Sequence, residues 1–231
     1  MTYHFRPFVL LSLLLLFAGS AVAGPPLLCH PFDVGAAKSL PWNGAAWSAV
    51  DPKYDVARLV DDTLSLLTPD APVLARMETL RRATVYARHD PARAAELLAR
   101  LRERTAVKDR TSRAYALALF DSGYLAETYK QAAWISANAH EDFWTFKQPS
   151  PKEDGYAEIT HAIVITGDPA MEFAAAVVTR DRRTHGQSEY RGHLTRALTA
   201  APDGSLLARN LVAHFGEAEI RELRSVAHKT R

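Results

Sequence analysis

The residues best equipped for chemistry stand together in one short stretch, LLCHPFDVGAAKSLPW, at positions 27 to 42. Cys29 is the single cysteine of the chain, His30 follows it, and Asp33 comes after Pro31 and Phe32. A thiol, an imidazole and a carboxylate are the parts of a thiol hydrolase. Cys29 would be the nucleophile, His30 or a more distant histidine its base, and Asp33 the group that orients the base. Adjacent residues of extended chain, however, point their side chains to opposite sides, which keeps Cys29 and His30 from sharing a proton. The other reading makes the stretch structural. Leu27, Leu28, Phe32, Leu40 and Trp42, punctuated by Pro31, Gly35 and Pro41, form an ordered coil that lies against the rest of the chain and is held by side-chain packing. We prefer the structural reading and assign no catalytic residue, leaving Cys29, His30 and Asp33 as the candidates.

Other clusters carry weaker chemistry. His140, Glu141 and Asp142 are consecutive, so on a helix they diverge around the axis, and no second histidine stands four residues on as a zinc-binding HExxH needs. His185, Glu189 and His193 are spaced to share one helix face, but Gly186 interrupts it, and a solvated surface is the expected setting for both clusters. Trp134, Phe143, Trp144 and Phe146 gather ahead of a Pro-rich loop. Aromatic residues there are either core or the lining of a peptide-binding groove. No phosphate-binding glycine loop, cysteine pair, nucleophile elbow or haem-attachment motif is present. The sequence therefore implies neither a cofactor nor a metal.

The elements that must position these residues follow from hydropathy. A basic start, an apolar run from Phe8 to Ala18 and the ending Ala21-Val22-Ala23 read as a signal peptide over 1–23, cleaved before Gly24. The run is too short to span a bilayer, and Leu27-Leu28 ahead of Cys29 argue against lipid attachment. Residues 24–54 read as an extended segment and 55–231 as a helical domain. Val56, Leu59, Val60, Thr63, Leu64 and Leu67 form one apolar stripe, and Val73, Met77, Leu80, Thr84 and Ala87 form the next. Asp90-Pro91 predicts an N-cap and first turn for a third helix, with Ala94, Leu97, Leu98 and Leu101 inward. A helix is expected to about Ser122, a break at Gly123, and a further helix carrying Leu125, Thr128, Tyr129, Ala132 and Ala133. Gly167 closes one helix and Asp168-Pro169 opens another.

Gly123 lies 34 positions after His89, and Gly167 lies 44 after Gly123. The first spacing is the tetratricopeptide period. The segment ALFDSGYLAETYKQA resembles the tetratricopeptide helix-turn-helix, with Gly123 at the turn and Thr128 as the small residue where the second helix packs; Ala94 holds that place in the preceding unit. The resemblance covers about residues 70 to 180. It lacks the Trp-Leu-Gly-Tyr signature, and Glu172 fills the small-residue place in the third unit. It implies an all-α fold in which helical hairpins stack as a short solenoid behind the extended coil, with a concave face that holds partner peptides. The whole chain is also similar to exported bacterial proteins of unknown function, which adds no chemistry.

The charge balance, 28 basic against 26 acidic residues, is near neutral and the two signs are interleaved. Such a surface points to no nucleic acid. A single cysteine excludes an internal disulfide framework. The expected function is an exported, non-catalytic binding or scaffold protein of the cell envelope, periplasmic or secreted, with a protein or peptide partner and no membrane span after cleavage. The alternative is a thiol-dependent envelope enzyme using Cys29.

Overall fold

A computed structural model describes residues 27–138, 144–147, 150–180 and 186–229. The signal peptide lies outside the described residues, as do His140, Glu141, Asp142, Phe143 and His185. Among the described residues the regular structure is helical, with no strand. The α-helices are α1 (Leu59–Leu66), α2 (Val73–Tyr86), α3 (Pro91–Glu103), α4 (Arg113–Asn138), α5 (Gly155–Thr166), α6 (Pro169–Thr179), α7 (Gln187–Ala200), α8 (Leu206–Phe215) and α9 (Glu217–Lys229). None of the described helices is long and apolar enough to cross a membrane.

The starts and stops follow local chemistry. Asp90, Asp154 and Asp168 cap α3, α5 and α6 by accepting a backbone N–H from the first turn. Pro91 and Pro169 occupy first-turn positions, where the missing N–H would have no partner in any case. Gly167 ends α5 at φ 62°, a left-handed conformation that costs glycine little.

Three helices form the centre. Every residue of α2 except Arg82 is buried, Met171 to Thr179 of α6 are all buried, and α4 is buried along most of its length. These three touch one another, and the shorter helices pack around them. A helix enclosed on all sides has no polar face, so α2 must satisfy its charged side chains internally.

The break expected at Gly123 is not there: α4 runs unbroken for 26 residues from Arg113 to Asn138. Gly123 instead marks a helix crossing. α5 packs antiparallel to α4, with Tyr115 facing His161, Ser122 bonded to Glu158 and Glu127 bonded to the Tyr156 N–H. At the crossing, a Cβ on Gly123 would lie 2.5 Å from the Gly155 carbonyl oxygen, and one on Gly155 would lie 2.3 Å from that of Gly123. Glycine is there because the two backbones need the space. The 34-residue spacing thus joins a turn to a helix interior.

Candidate functional site

Residues 27 to 54 form no helix or strand, yet their backbone is held at many points. A buried segment without ladder partners must find donors and acceptors elsewhere, and α2, α4 and α8 supply them. Gln131 Oε1 of α4 accepts from Leu27 N (2.7 Å) and Leu28 N (3.1 Å). Arg81 Nη1 of α2 donates to the carbonyls of Leu28 (3.1 Å) and Trp47 (2.6 Å). Glu78 Oε2 accepts from Phe32 N at 3.0 Å. Asn210 of α8 clasps Asp33 from both sides, accepting from its N–H (3.0 Å) and donating to its carbonyl (2.8 Å). Further along, Arg82 donates to the Leu40 carbonyl and Tyr86 to that of Pro41.

Apolar anchors sit between these bonds. Leu27, Leu28, Phe32 and Leu40 are buried, and Trp42 is half-buried. The Trp42 ring lies 4.8 Å from the Arg81 guanidinium and 5.4 Å from that of Arg82. Phe32 stacks on the His214 ring at 4.5 Å and meets Phe173 edge-on.

The electrostatics centre on Glu78. Burial by itself would raise its carboxyl, but hydrogen bonds and charge from Arg81, the Phe32 N–H and Arg82 outweigh burial and hold it below the ordinary carboxylate range. Arg81 Nε and Nη2 contact its two oxygens at 2.7 and 2.8 Å, and Arg82 Nε contacts one at 2.6 Å.

Cys29 and His30 stand in the middle of this clasp, both partly exposed. Burial pushes the Cys29 thiol up to about 11, against the opposing pull of Arg81. At neutral pH the sulfur is a thiol, whereas a nucleophilic cysteine needs the thiolate. His30 faces His214, ring centres 5.6 Å apart. The Asp33 carboxylate is taken by the Gly35 N–H (2.9 Å) and Arg209 Nε (3.1 Å), which hold it below the ordinary carboxylate range. The three candidates thus share one segment in which the Asp33 carboxylate is engaged by Gly35 and Arg209 and Cys29 is a thiol.

The aromatic group is also divided. Trp144 and Phe146 are core residues: Trp144 donates Nε1 to the Ala132 carbonyl and lies 5.1 Å from Trp47, and Phe146 packs on Tyr129. Trp134 is 42 % exposed. Of the described members two are core and one is exposed, and Phe143 lies outside the described residues.

His193 departs from expectation. It is buried, with Nδ1 2.5 Å from Glu172 Oε2 and Nε2 2.7 Å from the Tyr156 hydroxyl. Nδ1 lies between Glu172, which only accepts, and Arg196 Nη2 at 2.8 Å, which only donates, so the roles of the two ring nitrogens follow the tautomer. Arg196 Nε holds the other Glu172 oxygen at 2.6 Å. Burial raises the Tyr156 phenol above its ordinary value, so the hydroxyl is neutral. Glu189 is engaged by the Gly186 N–H at the start of α7. The cluster ties α5, α6 and α7 together. In the sequence Glu172, the residue that breaks the tetratricopeptide pattern, was its visible trace.

Among the described residues no three metal-ligating side chains come together. A scan against protein-family models finds no match, and searches of curated proteins and of solved structures find none either.

Proposed function

We propose that the protein is an exported, non-catalytic binding or scaffold protein of the cell envelope, with a protein or peptide as its partner and the helical body as its working part. The observation that supports this reading is the state of Cys29. The most chemistry-rich stretch of the chain is clasped by Glu78, Arg81, Gln131 and Asn210, and its thiol is held protonated. Those groups fix the segment's backbone and prepare no nucleophile.

Alkylation by iodoacetamide across pH tests it. With the thiol at about 11, about a thousandth is thiolate at pH 8, so modification should run at least about 100-fold slower than that of free cysteine. Cys29→Ser should retain the wild-type melting temperature and the partners captured from envelope extract. Modification at pH 7 as fast as free cysteine, or a Cys29→Ser protein that folds but loses function, would overturn the reading in favour of a thiol enzyme.

A further inference from the structure

The segment from Leu27 to Asp33 lies over a buried histidine. His214, near the end of α8, is 4 % exposed, and the Phe32 ring of the segment stacks on its imidazole at 4.5 Å, the two planes 6° apart. The other groups packed on the ring are His30 of the same segment, Phe173 of α6, and Arg180, the C-cap of α6, which donates to the His214 carbonyl. Burial is the largest influence against a proton on this ring, and the charges of His30 and Arg180 add to it, while the backbone of Asn210 and of His30 favours one. The carboxylates of the clasp are committed: Glu78 to Arg81, Arg82 and the Phe32 N–H, and Asp33 to Arg209 and the Gly35 N–H. An imidazolium here would be a buried charge beside a guanidinium without a counter-ion, which is costly.

We propose that this contact is an acid-released latch: a proton on His214 lifts the segment from Leu27 to Asp33 off α2, α4 and α8 while the helices stay folded. The segment is the part that gives way because, of the elements packed on His214, it alone has no backbone ladder of its own; its amides rest on the single side chains Gln131, Glu78 and Asn210. His214 acts first as pH falls, from 6.5 down to its folded value of about 4. Glu78 and Asp33 have the same sign at lower pH. Both are held below their ordinary carboxylate values, so what they contribute is complete above 4.5 and 3.8 and is lost as pH falls below these. The helical body does not share the loss, because Asp121 of α4, paired with Arg76 of α2, is pushed up by burial to about 6 and gains from acid. Release uncovers a groove in which Gln131, Glu78, Arg81 and Asn210 are already placed to bond an extended backbone. The latch does not depend on which partner the helical body holds.

The test is native-state hydrogen exchange of the purified protein at pH 7 and pH 4.5, corrected for the intrinsic rate at each pH. A histidine that titrates at 6.5 when free and at about 4 in place shifts the opening by about 50-fold between these conditions. The amides of Leu27, Leu28, Phe32 and Asp33 should lose protection by about that factor. They should end at least tenfold less protected than those in the centre of α4, with the helical circular dichroism spectrum unchanged. His214→Phe keeps an aromatic ring under Phe32 and takes no proton, so its loss at the same amides should stay below about fivefold. Should that variant not fold, the wild-type pH profile decides: the loss begins above pH 5 if the imidazole drives it, and only below about 4.5 if the carboxylates do. Loss of protection in step at the segment and at α4, no loss at the segment by pH 4.5, an equal loss in a folded His214→Phe protein, or an onset only below pH 4.5 would each overturn the proposal.

Discussion

His214 joins local chemistry to the clasp. Its ring is buried, its Nδ1 donates to the Asn210 carbonyl, and it is stacked on Phe32. Burial is the main cause of a value pushed down to about 4, with the charges of His30 and Arg180 adding to it. In the unfolded chain the same imidazole takes a proton below 6.5, so the folded state binds fewer protons between these limits. The stability from a neutral His214 is therefore complete above pH 6.5 and is lost as pH falls toward 4, by about 2 to 3 kcal/mol at pH 4.5. Asp121 has the opposite sign, because its carboxyl is raised and its protonation near pH 6 favours the fold. Urea unfolding of wild type and of His214→Phe at pH 7 and pH 4.5 separates the two. The variant should keep the stacking and lack the acid loss, and equal acid sensitivity in both proteins would contradict the assignment. This residue could not be found in the sequence, where its local partner, the Asn210 carbonyl, is a backbone group that any helix offers. Its ring partners lie at positions 30, 32 and 173, and only the fold brings them together.

Helix boundaries marked by capping chemistry were legible in the sequence, and helix contacts were not. Asp90-Pro91 and Gly167-Asp168-Pro169 are local signals, and each sits where its own backbone requires it. Gly123 carries the same residue type for a different reason, since glycine ends a helix when φ is positive but also permits close approach when it is not. Nothing within a few positions of Gly123 reveals that Gly155 lies against it. The two roles predict opposite mutational signs. Alanine for a helical glycine with room for a Cβ is worth up to about 1 kcal/mol of stability, and Gly192→Ala, whose Cβ would meet a single Arg196 nitrogen at 3.3 Å and no backbone, should be neutral or stabilising. Gly123→Ala must push α5 away and should destabilise by about 1 to 3 kcal/mol. Thermal unfolding of both variants checks this, and a stabilised Gly123→Ala would disprove the crossing. The charges of α2 are of the same kind: Glu78, Arg81 and Arg82 have the spacing of a solvated stripe, but they hydrogen-bond the backbone of a segment 42 to 53 residues earlier.

At the scale of the molecule, the segment from Leu27 to Pro41 acts as a strap across three helices that are distant in sequence. Its amides bond to side chains rather than to a ladder, so their protection from exchange depends on tertiary structure alone. Hydrogen exchange should show the amides of Leu27, Leu28, Phe32 and Asp33 protected to a degree comparable with the core of α4, despite the absence of secondary structure there. Asn210→Ala should release Asp33 without unfolding the helices, and free exchange at these positions in the wild type would show that the strap is open in solution. Composition and hydropathy made the all-helical character legible. The strap's fastening was not, because its anchors on α2, α4 and α8 are single polar residues with no periodic pattern to mark them.

The bond between Asp33 and Asn210 spans 177 positions, and those from Leu27 and Leu28 to Gln131 span 104 and 103. A ribosome makes one end of each contact long before the other. Closing so large a loop carries an entropic cost that must be met before the contact gives anything back. The strap's fastening is therefore completed only when α8 has been synthesised, although its bonds to α2 join residues far closer in sequence. Cys29 lies inside that late-closing part. Until the strap is in place its thiol lacks the burial that later raises it, and it is then, rather than in the finished molecule, that it is most open to oxidants and to other thiols.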